Sequence, residues 1–185
     1  MDIGPLPPDL RQAVDFHGHL CPGLLIGYRA ALAARRALGL GPERSADEEL
    51  VVVAENDSCS VDAFQALLGA TFGKGNLKWL DYGKQVFTVS DRRSGRAVRV
   101  AFVGDGLRPR RPDGSVDREA FAKLLLSEPD QRLLKVEPAA TAPPEMARIE
   151  PSVACGRCGE AVQESKAVLM SGRAYCRACA REMAR

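Results

Sequence analysis

Apolar residues fill most of the circumference of Leu24–Leu38, LLIGYRAALAARRAL, which predicts a helix buried on more than one side. Pro22 suits the first position of that helix, and Gly39 and Gly41 can end it. Upstream, Pro8–Asp15 can form a short helix, with Leu10 and Val14 four apart on one face. Downstream, a polar connection over Glu43–Glu49 leads to the apolar run Leu50–Ala54, LVVVA, which reads as a buried strand. Val61–Leu68 then reads as a helix, with Ser58 or Ser60 as its cap and Asp62 in its first turn. Gln85–Ser90 and Ala97–Val103 flank the turn-like Asp91–Gly95, the clearest hairpin signal in the chain. Arg92, Arg93, Arg96 and Arg99 cluster around it as a solvated edge. Residues 107–112, LRPRRP, read as an exposed loop. Asp117–Ser127 carries Phe121, Leu124 and Leu125 at helical spacing, 130–134 can extend it, and a last short strand is expected over Leu133–Glu137.

The pattern breaks at Pro138–Glu145, PAATAPPE, whose three prolines read as a stiff linker. The sequence thus divides into a core domain over 1–137, a linker over 138–150 and a small domain over 151–185. In the last of these, Cys155-x2-Cys158 is followed after seventeen intervening residues by Cys176-x2-Cys179. Two such pairs at this separation form a closed four-thiolate zinc site, structural rather than catalytic. Gly156 and Gly159 allow a tight knuckle, Lys166–Met170 and Arg173–Tyr175 read as a hairpin, and Cys176 opens a helix through Met183. Knuckle, hairpin and helix in that order are the treble-clef pattern. A unit this small cannot bury a self-sufficient core, so the metal supplies most of its folding energy. The other reading, a redox thiol pair, fits a βαβ context that does not adjoin these cysteines.

Composition narrows the function classes. The 185 residues carry a net charge of +2, which argues against a dedicated nucleic-acid binder. No apolar run reaches membrane-spanning length, and MDIGPLPPDLRQ lacks the basic and apolar regions of a signal peptide. A cytoplasmic protein is the expectation. In that setting six cysteines point to metal or reactive thiols rather than disulfides.

Both histidines of the chain fall in Phe16–Gly23, FHGHLCPG. His17, His19 and Cys21 sit at i, i+2 and i+4, and an extended backbone would turn all three to one face. Imidazole and thiolate are common ligands of zinc and related metals. Cys21 is placed just outside a helix start, where backbone N–H groups and the helix dipole favour a thiolate. Cys59, in ENDSCS, is also placed at a helix start, so the two cysteines can converge on one site. The alternative is plain: a turn with a buried thiol, and Cys59 as a small packed residue. Thr71–Leu77 holds Lys74 between Gly73 and Gly75, which can cradle an anion or form a simple tight loop. It lacks the spacing of a Walker motif. Tyr82 and Lys84 could reach the same cleft.

FHGHLCPGLLIGYRA, ENDSCSVDAFQALLGATFGKGNL and DYGKQVF together resemble the FmdE family, named for a component of formylmethanofuran dehydrogenase. The resemblance covers about residues 10–105. It implies an α+β core, here of mixed helices and a mainly antiparallel sheet, usually dimeric. It also implies a metal or reactive-cysteine cleft around His17, His19, Cys21 and Cys59, and an auxiliary treble-clef finger. On this reading Cys21, Cys59 and His19 are the candidate catalytic groups. Cofactors would be a structural zinc on the four finger cysteines and a second zinc or other transition metal in the core.

The family name comes from association with a molybdenum or tungsten enzyme, and it does not fix an activity. With four of six cysteines in the finger, no pattern is left for an iron–sulfur cluster. Three functions follow. One is a metal-binding accessory protein of formylmethanofuran dehydrogenase systems. Another is a regulator or adaptor that uses the finger for protein or nucleic-acid contacts. A third is a self-contained metalloenzyme acting on a pterin-like or anionic ligand held by Asn56, Lys74 and Tyr82. From Pro151 to Arg185 there are six basic and three acidic residues. With four thiolates and Zn²⁺ contributing −2, the finger is close to +1, weak support for nucleic acid and at least as compatible with a protein partner.

Overall fold

The computed structural model describes residues 4–184, which divide into two compact units between Met146 and Ala147. The division falls within the expected linker, but Ala139 already donates to the Ala97 carbonyl at 2.9 Å, and Pro144 accepts from Arg92. The proline-rich stretch therefore begins as part of the core unit.

In the first unit, α1 (Pro8–His17) and α2 (Pro22–Leu38) precede β1 (Leu50–Ala54), α3 (Ser60–Leu68) and β2 (Leu77–Trp79). The chain continues through β3 (Val86–Asp91), β4 (Arg96–Phe102), a short 3-10 turn (Gly104–Leu107), α4 (Arg118–Ser127), α5 (Asp130–Leu133) and β5 (Leu134–Pro138). The five strands lie in the order β2-β1-β3-β4-β5, antiparallel except for β1 with β2. The fold is thus α+β with a mainly antiparallel sheet. The parallel pair is the departure from the sequence pattern: β1, α3 and β2 form a βαβ unit, in the core and not beside the C-x-x-C pairs.

Alternation explains the core. Val52 pairs with Val89, which pairs with Val98, and Phe87 pairs with Val100, so two rows of apolar side chains cross one face of the sheet. Leu24, Leu25, Ala31, Phe64, Leu67 and Phe121 of the helices close over it, and the Phe64 and Phe87 rings stack at 4.2 Å. Helix α2 is buried along most of its length, as its apolar circumference requires. It retains a buried cation, Arg35, whose guanidinium donates to the carbonyls of Leu67 and Pro42 and so satisfies the end of α3.

Two local expectations need correction. The first helix does not stop at Asp15 but runs to His17, and Gly18 ends it in the left-handed region at φ 92°. His17, His19 and Cys21 therefore do not share an extended strand. The cap of α3 is Cys59, with no side-chain capping bond, because Ser58 and Ser60 direct their hydroxyls to Asn56 and Gln85 instead.

In the second unit, β6 (Ser152–Ala154) pairs with β7 (Ala161–Gln163), β8 (Val168–Met170) with β9 (Arg173–Tyr175), and α6 (Arg177–Met183) closes the chain. The β6–β7 hairpin is not visible in the sequence pattern. Tyr175 and Ala180 pack with Cys155 at the centre of this unit. Among the described residues no helix is long and apolar enough to cross a membrane.

Candidate metal centres

The core cleft forms where two helix starts meet a helix end. His17 is the last residue of α1, Cys21 is the N-cap of α2, and Cys59 is the N-cap of α3. Between His17 and Cys21 the left-handed Gly18 reverses the chain, so the two imidazoles lie side by side with centroids 4.6 Å apart. Donor atoms of His17, His19 and Cys21 all fall within 4.8 Å of one another. The side chains reach one spot by a helix end, a turn and a cap, not by strand alternation.

The Cys21 sulfur is buried and accepts the Leu24 N–H at 3.3 Å. His17 Nε2 lies 3.8 Å from that sulfur, and His17 Nδ1 lies 2.7 Å from Asp62 Oδ2. Gln65 Nε2 donates to the other Asp62 oxygen at 2.9 Å. His19 is exposed, which leaves the trio open to solvent on one side. Two imidazoles and a thiolate suit zinc or a similar transition metal, and three protein ligands with an open side leave room for a further ligand.

Cys59 stands outside that trio but beside Cys21, both sulfurs lying against Gly23. Burial, then the neighbouring Cys21 charge and its hydrogen bond, push the Cys59 thiol above its ordinary value. The polar loop ahead of it is fully tied. Asn56 Oδ1 accepts from the Ser58 N–H and from the Ser58 hydroxyl, while its amide donates to the Lys84 carbonyl. Gln85 closes the network by donating to Ser58 at 2.7 Å and accepting from Ser60 at 2.6 Å.

The three ligand-binding candidates are not drawn together. Asn56 spends its polar groups on the Cys59 loop. Lys74 Nζ donates to the carbonyls of Ser45 at 2.8 Å and Asp47 at 3.3 Å, stapling one loop to another. Tyr82 is 59% exposed and stacks under Lys84. The sequence marks Asp62 only as a favourable first-turn acid and suggests no role for Gln65 or Gln85. The Asp62–His17 bond joins residues 45 apart, which no local pattern reveals.

In the second unit the sulfurs of Cys155, Cys158, Cys176 and Cys179 lie within 4.8 Å of one another. Backbone N–H groups of Cys158, Cys176 and Arg157 hold the Cys155 thiol down to about 6, while Cys176, burial and the other sulfurs push Cys179 up to about 12. Four crowded sulfurs cannot all ionise unless a cation balances them. That donor set, closed and tetrahedral in count, fits a zinc-type ion.

The sequence profile of the family described as "FmdE, Molybdenum formylmethanofuran dehydrogenase operon" matches residues 16–139. A protein of Archaeoglobus fulgidus described as a probable S-adenosyl-L-methionine-binding protein is 28% identical over 175 residues, covering 82% of this chain and 48% of that protein. The chain therefore spans about half the length of that relative. The crystal structure of an FmdE-like protein of the tungsten formylmethanofuran dehydrogenase type, from Syntrophus aciditrophicus, superposes with a TM-score of 0.62 at 23% identity. It covers 92% of this chain and 89% of the other, a likeness of fold. The profile match spans the His/Cys cleft from the end of α1, helices α2 and α3 and the whole five-stranded sheet, and the chain belongs to the FmdE family.

Proposed function

We propose that this chain is a metal-binding accessory protein of the FmdE type. Its core metal is held by His17, His19 and Cys21, with Cys59 beside Cys21 as the fourth candidate ligand. The observation that carries the reading is the convergence of three soft and borderline donors within 4.8 Å at a cleft the family profile spans. A metal there would act as a Lewis acid or as a template for a bound anion. Cys21 and the two histidines would bind it, with Cys59 as the further ligand. The finger would hold a structural zinc in a treble clef, with the protein acting in the cytoplasm as a homodimer and meeting a partner protein through the finger. Its charge near +1 gives nucleic acid less support than protein.

A self-contained enzyme acting on a pterin-like ligand has less behind it, because the polar groups of Asn56 and Lys74 are engaged by the backbone. The description of the Archaeoglobus relative adds S-adenosyl-L-methionine to the ligands worth titrating against the metal-loaded chain.

Metal analysis of purified variants tests the central claim. More than one metal per chain is expected, one of them lost in Cys21→Ser and His19→Ala and retained in Cys155→Ser. A single metal that responds only to substitution of the finger cysteines would reduce Phe16–Gly23 to a structural turn.

A further inference from the structure

We propose that Asp62 is the positioning residue of the core cleft. It holds His17 in the Nδ1–H form, so that Nε2 is the free nitrogen facing Cys21, and Gln65 locks Asp62 in that task. The consequence for metal affinity rests on the metal-centre reading above, whereas the tautomer assignment does not.

An ionised carboxylate can only accept hydrogen bonds. Asp62 Oδ2 lies 2.7 Å from His17 Nδ1, so that nitrogen carries the proton. A neutral imidazole then has its lone pair on Nε2, the atom 3.8 Å from the Cys21 sulfur. The bond also fixes the plane of the ring. His17 ends α1 just where Gly18 turns the backbone away, and a histidine χ2 is otherwise broad and roughly two-fold. The anchor comes from a different helix, α3, so it ties the end of α1 to the element that carries Cys59.

Asp62 is itself held. Gln65, one turn further along α3, donates to Oδ1 at 2.9 Å, so each carboxylate oxygen has its own partner. The histidine side chain is 11% exposed and the aspartate 31%, which keeps the bond from being swamped by water. Asp62 is not itself a member of the compact donor group. Its place behind a histidine matches the carboxylate–imidazole–metal arrangement, in which the outer carboxylate orients the ring and raises its basicity.

Only two histidines exist in the chain, so the test is simple to assign. In the full chain with the finger zinc-loaded and the core cleft metal-free, two-bond ¹⁵N–¹H correlation spectra at pH 8 should report His17 as the Nδ1–H tautomer. Asp62→Ala should give a mixture. Co²⁺ is then titrated against a competing chelator and read by its thiolate charge-transfer band. Asp62→Ala should weaken binding roughly 10- to 100-fold, Asp62→Glu should restore most of it, and Gln65→Ala should weaken it by less. The isosteric Asp62→Asn keeps the shape and should fall between. An Nε2–H tautomer in the wild-type chain overturns the proposal, and so does a tautomer unchanged in Asp62→Ala. A chain that shows the Nδ1–H form, loses it in Asp62→Ala, yet takes up no core Co²⁺, supports the positioning role and overturns the metal-centre reading alone.

Discussion

Gly27 of α2 and Ser60 of α3 are in backbone contact. A Cβ on Gly27 would stand 2.0 Å from the Ser60 carbonyl oxygen and 2.6 Å from its Cα. One turn earlier, a Cβ on Gly23 would stand 3.1 Å from the Cys59 Cβ, 3.7 Å from the Cys59 sulfur and 3.8 Å from the Cys21 sulfur. The two glycines, four apart, lie on one face of α2. They let the start of α3 approach the start of α2, and that approach places the two cysteines together.

Gly27→Ala should therefore destabilise the core unit, although alanine is the better helix former by about 1 kcal/mol. Backbone atoms cannot swing aside as side chains do, so the helices must separate, at a net cost of about 3 kcal/mol. For a unit of this size that lowers the melting temperature by roughly 6–12 °C. Calorimetry of the variant checks it. An unchanged melting temperature would mean that the helices do not touch here.

Acid should find a specific weak point at Glu49. Its carboxylate accepts from the Ser45 hydroxyl and from the Asp47 N–H at 2.9 Å, which holds it down to about 2 from the ordinary 4.5. The folded value lies below the unfolded one, so the stabilisation is complete above about 4.5 and is lost as pH falls toward about 2. The group is partly exposed, so solvent screening limits the effect to about 1 kcal/mol. Urea unfolding of Glu49→Gln beside the wild-type chain should show that gap at pH 6, and the gap should narrow as pH falls below about 4.5 and close toward about 2. A gap of constant size across the range would assign the loss to packing rather than to charge.

What the sequence discloses follows from length and periodicity. LVVVA, the long α2 and the β3–β4 hairpin each carry enough repeats of their period to be read directly. Strand β2 is three residues, Leu77–Trp79, one of them Lys78, and its parallel pairing with β1 depends on α3 crossing between them. No alternation can be read from three residues, and the same holds for β6 and β7. The finger cysteines are legible because metal spacing is local. The core cleft is half legible: FHGHLCPG announces its donors, but their convergence depends on Gly18 ending α1 after His17. Asp62 and Gln65 come from 45 or more residues away in the chain. Lys74 looks like an anion ligand between two glycines, while its ammonium binds three backbone carbonyls instead.

Cys21 and Cys59 should react as a coupled pair. Cys59 caps α3 without a side-chain capping bond, so its sulfur is free to meet Cys21. Burial raises the Cys59 thiol most, and Cys21 adds to it by charge and by hydrogen bonding. In the chelated full-length chain, Cys59 should react with iodoacetamide at pH 7.5 more slowly than an ordinary exposed thiol. Cys21→Ser should speed that reaction by removing the second and third causes, but only in part, because burial remains. Core metal should protect both thiols together if both face the same ion, or Cys21 alone if Cys59 is only its neighbour. Peptide mass analysis after timed alkylation separates Cys21 and Cys59 from the four finger cysteines, so one sample reads all six. If Cys59 labels at the same rate with or without Cys21, and with or without metal, the two are independent thiols. The core centre would then be the His17, His19 and Cys21 trio alone, completed by a ligand from outside the chain.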